Sequence, residues 1–389
     1  MNLERLYLDY NATSPLSPSV LNWLRDGDYI FANPSSQHFD GKHSRKCVND
    51  DRALIYKAFN KSEKDTKLFF HSGATEAFHT FATSFSEIAR LSGKELLICY
   101  SKIDHPAVTS LAERYFGSHV KFFELKRDKN LRYSWSTNLE ALKDKKDNNP
   151  DLIILYHHLW VHNETGHVSE LNELDQLILI PDLYVHIDAV QAPGKIINWQ
   201  FLDYGHIWSF SAHKFGALKG IGFSFFRNDV PFHPLITGGG QQGNLRSGTE
   251  NVQGIRSISL AISDLLKVNV AEMMKKRQRL VEIIYDELKE VGSIVQDGLM
   301  ASNTIYFYLN RYPSDITLAL FDLNGIQISS GSACSSGAAK PSAVLLQMGL
   351  QAVGKNGLRL SMPFEVEDEF IDKLENRLHK IFIKLDRGT

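Results

Sequence analysis

Short apolar runs bounded by polar residues recur along the first two thirds of the chain, and longer amphipathic stretches separate most of them. Such runs predict β-strands, and stretches with apolar positions three or four residues apart predict helices. The strands are predicted at residues 67–70, 96–100, 121–125, 151–156, 183–188, 208–211 and 220–226. Nearly continuous apolar runs are typical of a parallel sheet that is buried on both faces. The pattern therefore predicts an α/β domain with a mostly parallel seven-stranded sheet between helices.

The periodicity changes near residue 252. A helical pattern covers residues 252–291, and we expect one long helix that links two domains. Beyond it the chain predicts strands at 304–309, 326–329 and 358–361 and helices at 316–323 and 370–385. We therefore predict a large cofactor-binding α/β domain at residues 15–252. A smaller α+β domain is predicted from residues 1–14 and 253–389.

Polar side chains follow two of the predicted strands at the point where each strand ends. Asp188 ends one strand, and Ser211, His213 and Lys214 end the next. Residues just past the carboxyl ends of strands gather at one edge of an α/β sheet, where ligands bind. Pyridoxal phosphate needs an amine for a Schiff base, an acid beside its pyridine nitrogen and anchors for its phosphate. The sequence therefore predicts a pyridoxal-phosphate site at this edge.

The strand at 67–70 is followed by Ser72-Gly73-Ala74-Thr75-Glu76 and then by a helical pattern to about residue 90. A strand, a turn of small residues and a helix form a phosphate-binding arrangement, because free backbone N–H groups and the helix dipole face the anion. Taken alone, the same residues also fit a plain helix N-cap provided by Ser72 or Thr75.

Three further features have two interpretations each. His105 lies between a strand and a helix that Pro106 opens, so its imidazole either stacks on a ligand or is structural. Asn33, in a loop that continues with Pro34, fits a turn residue or a ligand contact. The glycine-rich stretch at 238–249 fits a loop that approaches a ligand or partner chain, or a flexible connector.

Composition excludes several classes of protein. The 389 residues carry a net charge of −2, which gives no argument for nucleic acid as a partner. No run of about 18 apolar residues could span a membrane, and the first residues lack the apolar core of a secretion signal. The three cysteines are too few and too scattered for a disulfide framework. We expect a cytoplasmic protein with no nucleic-acid or membrane partner.

Histidines at positions 157, 158 and 162 invite a metal site, but no acid or cysteine stands at ligand spacing, so we predict no metal. Cys334 lies in the centre of small, polar and glycine-flanked residues, Ser329 to Gly337. That setting is typical of an exposed, reactive thiol. Cys47 and Cys99 fall in helix and strand patterns and are interpreted as packing residues.

These pieces, taken together and in order, resemble the NifS/IscS-type cysteine desulfurases, which are fold-type I pyridoxal-phosphate enzymes related to the class V aminotransferases. The resemblance rests on seven motifs: Ser72-Gly73-Ala74-Thr75-Glu76, Asp104-His105, Asn163-Glu164-x-Gly166, Asp188-Ala189-x-Gln191, Ser211-x-His213-Lys214, Arg246-Ser247-Gly248-Thr249 and Ser330-Gly331-Ser332-Ala333-Cys334. The last of these resembles the group that has a long mobile cysteine loop.

The resemblance implies a role for each matching position. Lys214, Cys334 and His105 are the expected catalytic residues. Cofactor contacts are expected from Ala74, Thr75, His105, Asn163, Asp188, Gln191, Ser211, His213 and Lys214, and from Thr249 toward the other subunit of a homodimer. Substrate contacts are expected from Asn33, Asn163 and Arg359. The guanidinium of Arg359 suits a carboxylate because it can bind both oxygens.

The resemblance also implies the reaction. L-Cysteine would be converted to L-alanine through a pyridoxal-phosphate aldimine, with the sulfur passed to Cys334 as a persulfide. A persulfide-accepting protein, either a scaffold for iron–sulfur cluster assembly or a tRNA-thiolation factor, would then receive the sulfur. One alternative is another class V pyridoxal-phosphate enzyme, such as an aminotransferase or a selenocysteine/cysteine lyase. Another is a non-catalytic binding protein on the same fold.

Overall fold

The computed structural model describes residues 4–113, 116–288, 291–331 and 341–387. Its strands are β1 Leu6–Tyr7, β2 Thr66–His71, β3 Leu96–Tyr100, β4 Val120–Glu124, β5 Ile153–Leu159, β6 Leu183–Asp188, β7 Ile207–Ser211, β8 Gly222–Arg227, β9 Gly292–Val295, β10 Thr304–Leu309, β11 Ile326–Gln327, β12 Ser329–Ser330 and β13 Gly357–Ser361. Its α-helices are α1 Pro18–Asp26, α2 Phe39–Ala58, α3 Ala74–Ser92, α4 Pro106–Thr109, α5 Trp135–Asn148, α6 Asp175–Ile178, α7 Val252–Leu265, α8 Val270–Leu288, α9 Ser314–Leu323, α10 Ala343–Gln347 and α11 Asp368–Arg387.

Seven of the described strands form one sheet in the order β2-β8-β7-β6-β5-β3-β4. The pairs from β7 through to β4 are parallel, and β8 runs antiparallel to both β2 and β7. Central strand β5 is buried along its whole length, as expected for a strand with helices on both faces. The predicted mostly parallel seven-stranded sheet is confirmed.

The smaller unit is built on a second sheet, in the order β12-β13-β10-β9, whose neighbours are all antiparallel. The strand predicted at 326–329 is divided between two sheets, so that prediction is wrong in detail. Ile326–Gln327 pairs in parallel with β1, whereas Ser329–Ser330 pairs with β13. The N-terminal strand thus joins the smaller unit.

The single long helix predicted over 252–291 is wrong, because the chain forms two helices there, α7 and α8. The side chain of Asn269 accepts a hydrogen bond from the Glu272 N–H at 3.1 Å, which is the contact of a residue that caps a new helix. Helix α7 packs in the core of the large sheet, and the core of the smaller unit begins again at Met273. The two cores therefore change between α7 and α8, while the domain boundary at residue 252 stays a prediction.

Polar residues that could take part in chemistry lie together at one edge of the large sheet. Strand β6 ends at Asp188, β7 ends at Ser211, and a single turn of 3-10 helix, Ala212–Lys214, follows β7 directly. Strand β2 leads through Ser72 and Gly73 into the 19-residue helix α3. Within the described ranges, none of the helices is long and apolar enough to cross a membrane.

Two neighbouring leucines test how the large core is packed. Leu177 is 1% exposed in the core, whereas Leu179, two residues later, is 82% exposed. We expect Leu177→Ala to lower the free energy of unfolding by about 2–5 kcal/mol, because it removes buried methyl groups and leaves a cavity. Leu179→Ala should change it by less than about 0.5 kcal/mol. Urea unfolding followed by circular dichroism would measure both, and equal losses would contradict this packing.

Candidate active site

A cavity of about 580 Å³ lies at the carboxyl ends of β5, β6 and β7 and reaches β13 of the smaller unit. Ten of the residues predicted for the site line it: Ala74, Thr75, His105, Asn163, Asp188, Gln191, Ser211, His213, Lys214 and Arg359. They come from six separate stretches of sequence. The fold therefore brings together most of the positions that the resemblance implied.

Lys214 lies at the end of the turn that follows β7, and its side chain points toward the N-terminal segment of the chain. Its Nζ donates to the carbonyl oxygens of Asn11 at 2.9 Å and Ala12 at 2.8 Å. Both partners are backbone groups, which hold the amine in place within the cavity. An amine held at a defined position in a cavity suits Schiff-base formation.

Asp188 is 9% exposed and lies at the last position of β6. Its Oδ1 accepts the Val190 N–H at 3.0 Å. Burial raises the pKa of the Asp188 carboxyl to about 6, against the smaller opposing effects of the Val190 N–H and the Lys214 charge. A buried carboxyl with little compensation of its charge fits a cationic ligand group such as a protonated pyridine nitrogen.

The turn before α3 faces the same cavity. The N-cap of α3 is Gly73, without a side-chain capping bond, so the alternative of a plain cap by Ser72 or Thr75 is not observed. Both of those residues line the cavity instead. The first N–H groups of a helix have no partner within the helix, and together with the dipole they favour an anion. A phosphate fits this position.

Ser211, the last residue of β7, and His213, which follows the strand, complete that end of the cavity. A Cβ placed on Gly73 would stand 3.5 Å from Ser211 Oγ, so this hydroxyl lies beside the turn. His213 shares a hydrogen bond of 3.1 Å with the hydroxyl of Thr13 through its Nδ1. Burial, and then the Lys214 charge, lowers the pKa of His213 to about 4. Near neutral pH these are therefore uncharged hydrogen-bonding groups.

His105 is the N-cap of α4, which agrees with its structural interpretation, and it also lines the cavity. Its Nδ1 accepts the Ala107 N–H at 3.1 Å. Burial, and then the Lys214 charge, lowers the pKa of His105 to about 4. The imidazole is thus neutral near pH 7, and the proton resides on Nε2, since Nδ1 acts as acceptor.

Arg359, on β13, is 4% exposed and is bound by a residue that the sequence analysis missed. Its Nη2 lies 2.7 Å from Asp9 Oδ1, and its Nη1 donates to the Asn163 carbonyl at 3.1 Å. Its buried Nε has no hydrogen-bond partner among the described residues. The guanidinium therefore keeps donor capacity for a carboxylate ligand.

Gln191 is positioned by two residues that were also missed, Asn11 and Lys195. Gln191 Nε2 donates to the Asn11 carbonyl at 3.0 Å. Lys195 is 1% exposed, and its Nζ donates to Gln191 Oε1 and, at 3.0 Å, to Asn11 Oδ1. Burial, followed by the nearby Lys214 and Arg359 charges, lowers the pKa of Lys195 well below its ordinary value. No sequence signal distinguishes this lysine from an exposed one.

Three predicted site residues are not in the cavity that the described residues form. Asn33 is exposed, and its Oδ1 accepts the Ser35 N–H at 2.9 Å, as a turn residue does. Thr249 is exposed and borders a smaller, separate cavity beside Arg246. Cys334 lies outside the described residues. Gly331, three residues before it in the sequence, lines the main cavity.

The histidines considered as metal ligands have other contacts. His162 Nε2 bonds to the Ile103 carbonyl at 3.1 Å, and His157 bonds to His186 at 3.0 Å through the Nδ1 atoms. Over the part of the chain that the structure describes, no three His, Cys, Asp or Glu side chains form a group that could hold a metal ion.

The donor set fits pyridoxal phosphate. An amine and a buried carboxyl face one cavity, a helix N-terminus with neighbouring hydroxyls suits the phosphate, and a flat imidazole and an amide remain for the ring. Lys214, Asp188 and the turn at Ser72 to Thr75 would hold the three ends of such a molecule.

Known proteins share this sequence and architecture. The aminotransferase class-V family profile matches residues 6–374. The putative cysteine desulfurase IscS 1 of Bacillus subtilis (strain 168) is 34% identical over 352 residues, which is 89% of this chain and 89% of that protein. The cysteine desulfurase IscS of Dictyoglomus turgidum (strain DSM 6724 / Z-1310) is 30% identical over 394 residues, 98% of this chain and 95% of that protein.

A solved structure of a NifS-like protein superposes with a TM-score of 0.82 at 27% identity, and the match covers 98% of this chain and 99% of that chain. The predicted resemblance to NifS/IscS-type proteins and the predicted fold-type I architecture are therefore confirmed. The family profile matches the chain over most of its length, and the identity to its relatives supports the match. The chain therefore belongs to the aminotransferase class-V family.

Proposed function

We propose that this protein is a pyridoxal-phosphate-dependent cysteine desulfurase that converts L-cysteine to L-alanine and takes up the sulfur on Cys334. The observation that carries the proposal is that the Lys214 amine and the buried Asp188 carboxyl line the same cavity. The relatives at 34% and 30% identity, whose names are cysteine desulfurases, support the choice of substrate.

Each end of the cofactor has a matching group. Lys214 would hold the cofactor through its amine, the Asp188 carboxylate would accept from the protonated pyridine nitrogen, and the Gln191 amide would donate to the phenolic oxygen. The Ala74 N–H, Thr75, Ser211 and His213 would bind the phosphate, while His105 and Asn163 would contact the ring. The bound cofactor supplies an electron sink for the substrate carbon. The neutral state of His105 and His213 follows from their lowered pKa values, so the phosphate end relies on hydrogen bonds and the helix dipole.

Substrate binding uses the opposite side of the cavity. We propose that Arg359 and Asn163 bind the substrate carboxylate. Asp9 already occupies Arg359 Nη2, so the incoming carboxylate is received by the remaining N–H groups of the guanidinium. That arrangement orients the substrate, because Asp9 fixes the plane of the guanidinium. The Lys214 amine would act as the base that removes the α-proton of the substrate.

The sulfur step is assigned to Cys334. Its thiolate attacks the substrate sulfur, the carbon–sulfur bond breaks, and the bonding electron pair stays with the carbon. Protonation of that carbon yields alanine, and Cys334 carries the extra sulfur as a persulfide. One cysteine and one thiol thus give one alanine and one persulfide, with atoms balanced. A protein acceptor, of the iron–sulfur scaffold or tRNA-thiolation type, then receives the sulfur.

We also propose a cytoplasmic homodimer in which Thr249 reaches the phosphate in the other subunit and Asn33 approaches its substrate. Both residues are exposed in the single chain. Large apolar side chains near Asn33 are exposed as well, with Phe31 at 82% and Phe39 at 83%. Such a patch suits burial against a second copy. The low cysteine count suits a reducing compartment.

Two cavity lysines separate the Schiff-base role from a general need for positive charge. We expect Lys214→Ala to abolish the yellow absorbance of the lysine-bound cofactor. Lys219→Ala, five residues away at the exposed rim of the same cavity, should keep it. The absorption spectra of the purified, cofactor-loaded variants provide the measurement. A Lys214→Ala protein with the wild-type spectrum would refute the assignment.

We expect the ionised Asp188 carboxyl to lower the free energy of unfolding of the cofactor-free protein. Its folded pKa of about 6 lies above the 3.8 of an ordinary Asp, so the folded protein holds the proton more tightly than the unfolded chain. Stability therefore falls as pH rises from about 4 to about 6. The free energy of unfolding of Asp188→Asn should exceed that of the wild type by about 1–3 kcal/mol at pH 7.5. This difference should vanish below pH 4.

Urea unfolding of the cofactor-free proteins at several pH values tests this expectation. Asp147→Asn, a change at an exposed position of α5, serves as the control and should follow the wild-type profile. An Asp188→Asn protein that is less stable than wild type at pH 7.5 would show that the carboxylate is well compensated in the empty cavity.

Cys334→Ser should retain the cofactor absorbance but form no persulfide and release alanine at least about a hundredfold more slowly, because the nucleophile is missing. Cys47→Ser removes a half-buried thiol on α2, whose pKa is raised by burial, and should behave as wild type. Alanine release and persulfide labelling are the measurements. Full-rate alanine formation by Cys334→Ser would favour a lyase or another class V reaction instead.

A further inference from the structure

Five buried polar side chains form a continuous line across the large sheet beneath the cavity. They are His71 on β2, Ser224 on β8, Ser209 on β7, His186 on β6 and His157 on β5. Each of them is at most 2% exposed. Together they contribute one polar side chain from each of five neighbouring strands, in an otherwise apolar part of the core. Buried polar groups are costly unless they are paired, so such a line calls for an account of its bonding.

Every neighbouring pair in this line is within hydrogen-bond distance. His71 Nε2 is 2.9 Å from Ser224 Oγ, and Ser224 Oγ is 2.8 Å from Ser209 Oγ. Ser209 Oγ is 2.8 Å from His186 Nε2, and His186 Nδ1 is 3.0 Å from His157 Nδ1. The far end is anchored by the main chain, since the Gly73 N–H donates to His71 Nδ1 at 3.2 Å.

The positions of the heavy atoms fit either direction of the other bonds, and that backbone donor favours one of them. Because His71 Nδ1 accepts from Gly73, the proton of the neutral ring is on Nε2 and is donated to Ser224. Each hydroxyl then has its single proton left for the next group, so Ser224 donates to Ser209 and Ser209 donates to His186 Nε2. His186 must therefore carry its proton on Nδ1, which it donates to His157 Nδ1. His157 is left with its proton on Nε2.

The end of the line reaches the active site. His157 lines the cavity together with His186 and Ser209, and the His157 Nε2 is buried without a hydrogen-bond partner among the described residues. His186 and Asp188 are two positions apart on β6 and therefore face the same side of the sheet. The line thus begins at the phosphate-binding turn and ends on the face of the sheet that carries Asp188.

Helix α3 packs against this line of polar side chains. The Phe78 ring stands 4.7 Å from the His157 ring and 5.3 Å from the His186 ring, and Phe81 stands 5.7 Å from His186. Apolar rings exclude water, which strengthens the buried bonds. Burial also lowers the pKa of His71 to about 4 and of His186 to about 3, so both rings are neutral near pH 7.

We propose that His71, Ser224, Ser209, His186 and His157 form a hydrogen-bond relay of fixed direction, through which Gly73 holds His157 as a neutral donor to the bound cofactor. His157 is a binding residue in this proposal, and the other four are positioning residues that act through it. The donor is matched to an acceptor atom of the ligand in the cavity. The naming of the ligand rests on the proposed function, whereas the direction of the relay is a property of the chain alone.

Histidine tautomers test the direction of the relay. We would label the full-length protein with ¹⁵N-histidine and record long-range ¹H–¹⁵N correlations with and without pyridoxal phosphate. Single His→Asn variants would assign the signals. His186 is expected in the Nδ1–H form, and His71 and His157 in the Nε2–H form, in both samples. His186 protonated on Nε2, or two histidines of the relay in mixed forms, would overturn the proposal.

Cofactor affinity tests whether the relay matters to the site. Ser224→Ala interrupts the relay at a position outside the cavity lining. It should raise the Kd for pyridoxal phosphate about three- to tenfold, the effect of weakening one hydrogen bond. Ser257→Ala, which removes a fully buried hydroxyl that bonds the Gly254 carbonyl on α7, is the matched control and should stay within about twofold of wild type.

The outcomes separate the two proposals. An unchanged Kd for Ser224→Ala would show that the relay does not support the cofactor. If the wild-type protein binds no pyridoxal phosphate, the proposed function fails, while the tautomer spectra still decide the direction of the relay. If Ser224→Ala does not fold, those wild-type spectra decide alone.

Discussion

Much of the site depends on one buried amide near the start of the chain. Asn11 is 2% exposed, and its carbonyl oxygen accepts from both Gln191 and Lys214. Its side chain accepts from Lys195 at 3.0 Å and donates to Thr304 Oγ1 at 2.8 Å. The first three of these partners belong to the large sheet's edge, and Thr304 begins β10 of the smaller unit. Asn11 therefore connects the Lys214 amine to both the large sheet and the smaller unit.

This arrangement places several charged or polar groups where water cannot reach them. Asp188 carries a carboxyl whose pKa is raised by burial, and Lys195 carries an amine whose pKa is lowered by it. Neither is compensated by an opposite charge within the described residues, apart from the influence of Lys214 on Asp188. A cavity built this way favours a ligand that brings its own complementary charges, and a pyridinium with a phosphate does so.

The parts of the fold that local pattern controls were predictable from the sequence. Strands 96–100 and 304–309 were predicted with the observed bounds, because polar residues delimit a compact apolar run at each. The break between α7 and α8 was not, since Leu266 and Val268 continue the apolar pattern through it. The apolar periodicity alone also fits one continuous helix. The side chain of Asn269 instead caps a new helix, and this bond favours the break.

The candidate site was predictable where residues follow strands directly, as Asp188 and Lys214 do. Asn11, Asp9 and Lys195 were missed because their roles depend on long-range burial and on partners distant in the sequence. The relay was missed for a related reason. His157 was considered only as a metal ligand with its sequence neighbours, whereas its partner His186 is the residue opposite it on the next strand.

The central claim is that Lys214 is the lysine that bonds to the cofactor. Borohydride reduction of the pyridoxal-phosphate-loaded wild-type protein, followed by proteolysis and mass spectrometry of the peptides, tests it most directly. We predict a single phosphopyridoxyl group on the peptide that contains Lys214. Labelling of Lys195 or Lys219 instead, or no covalent label, would contradict it.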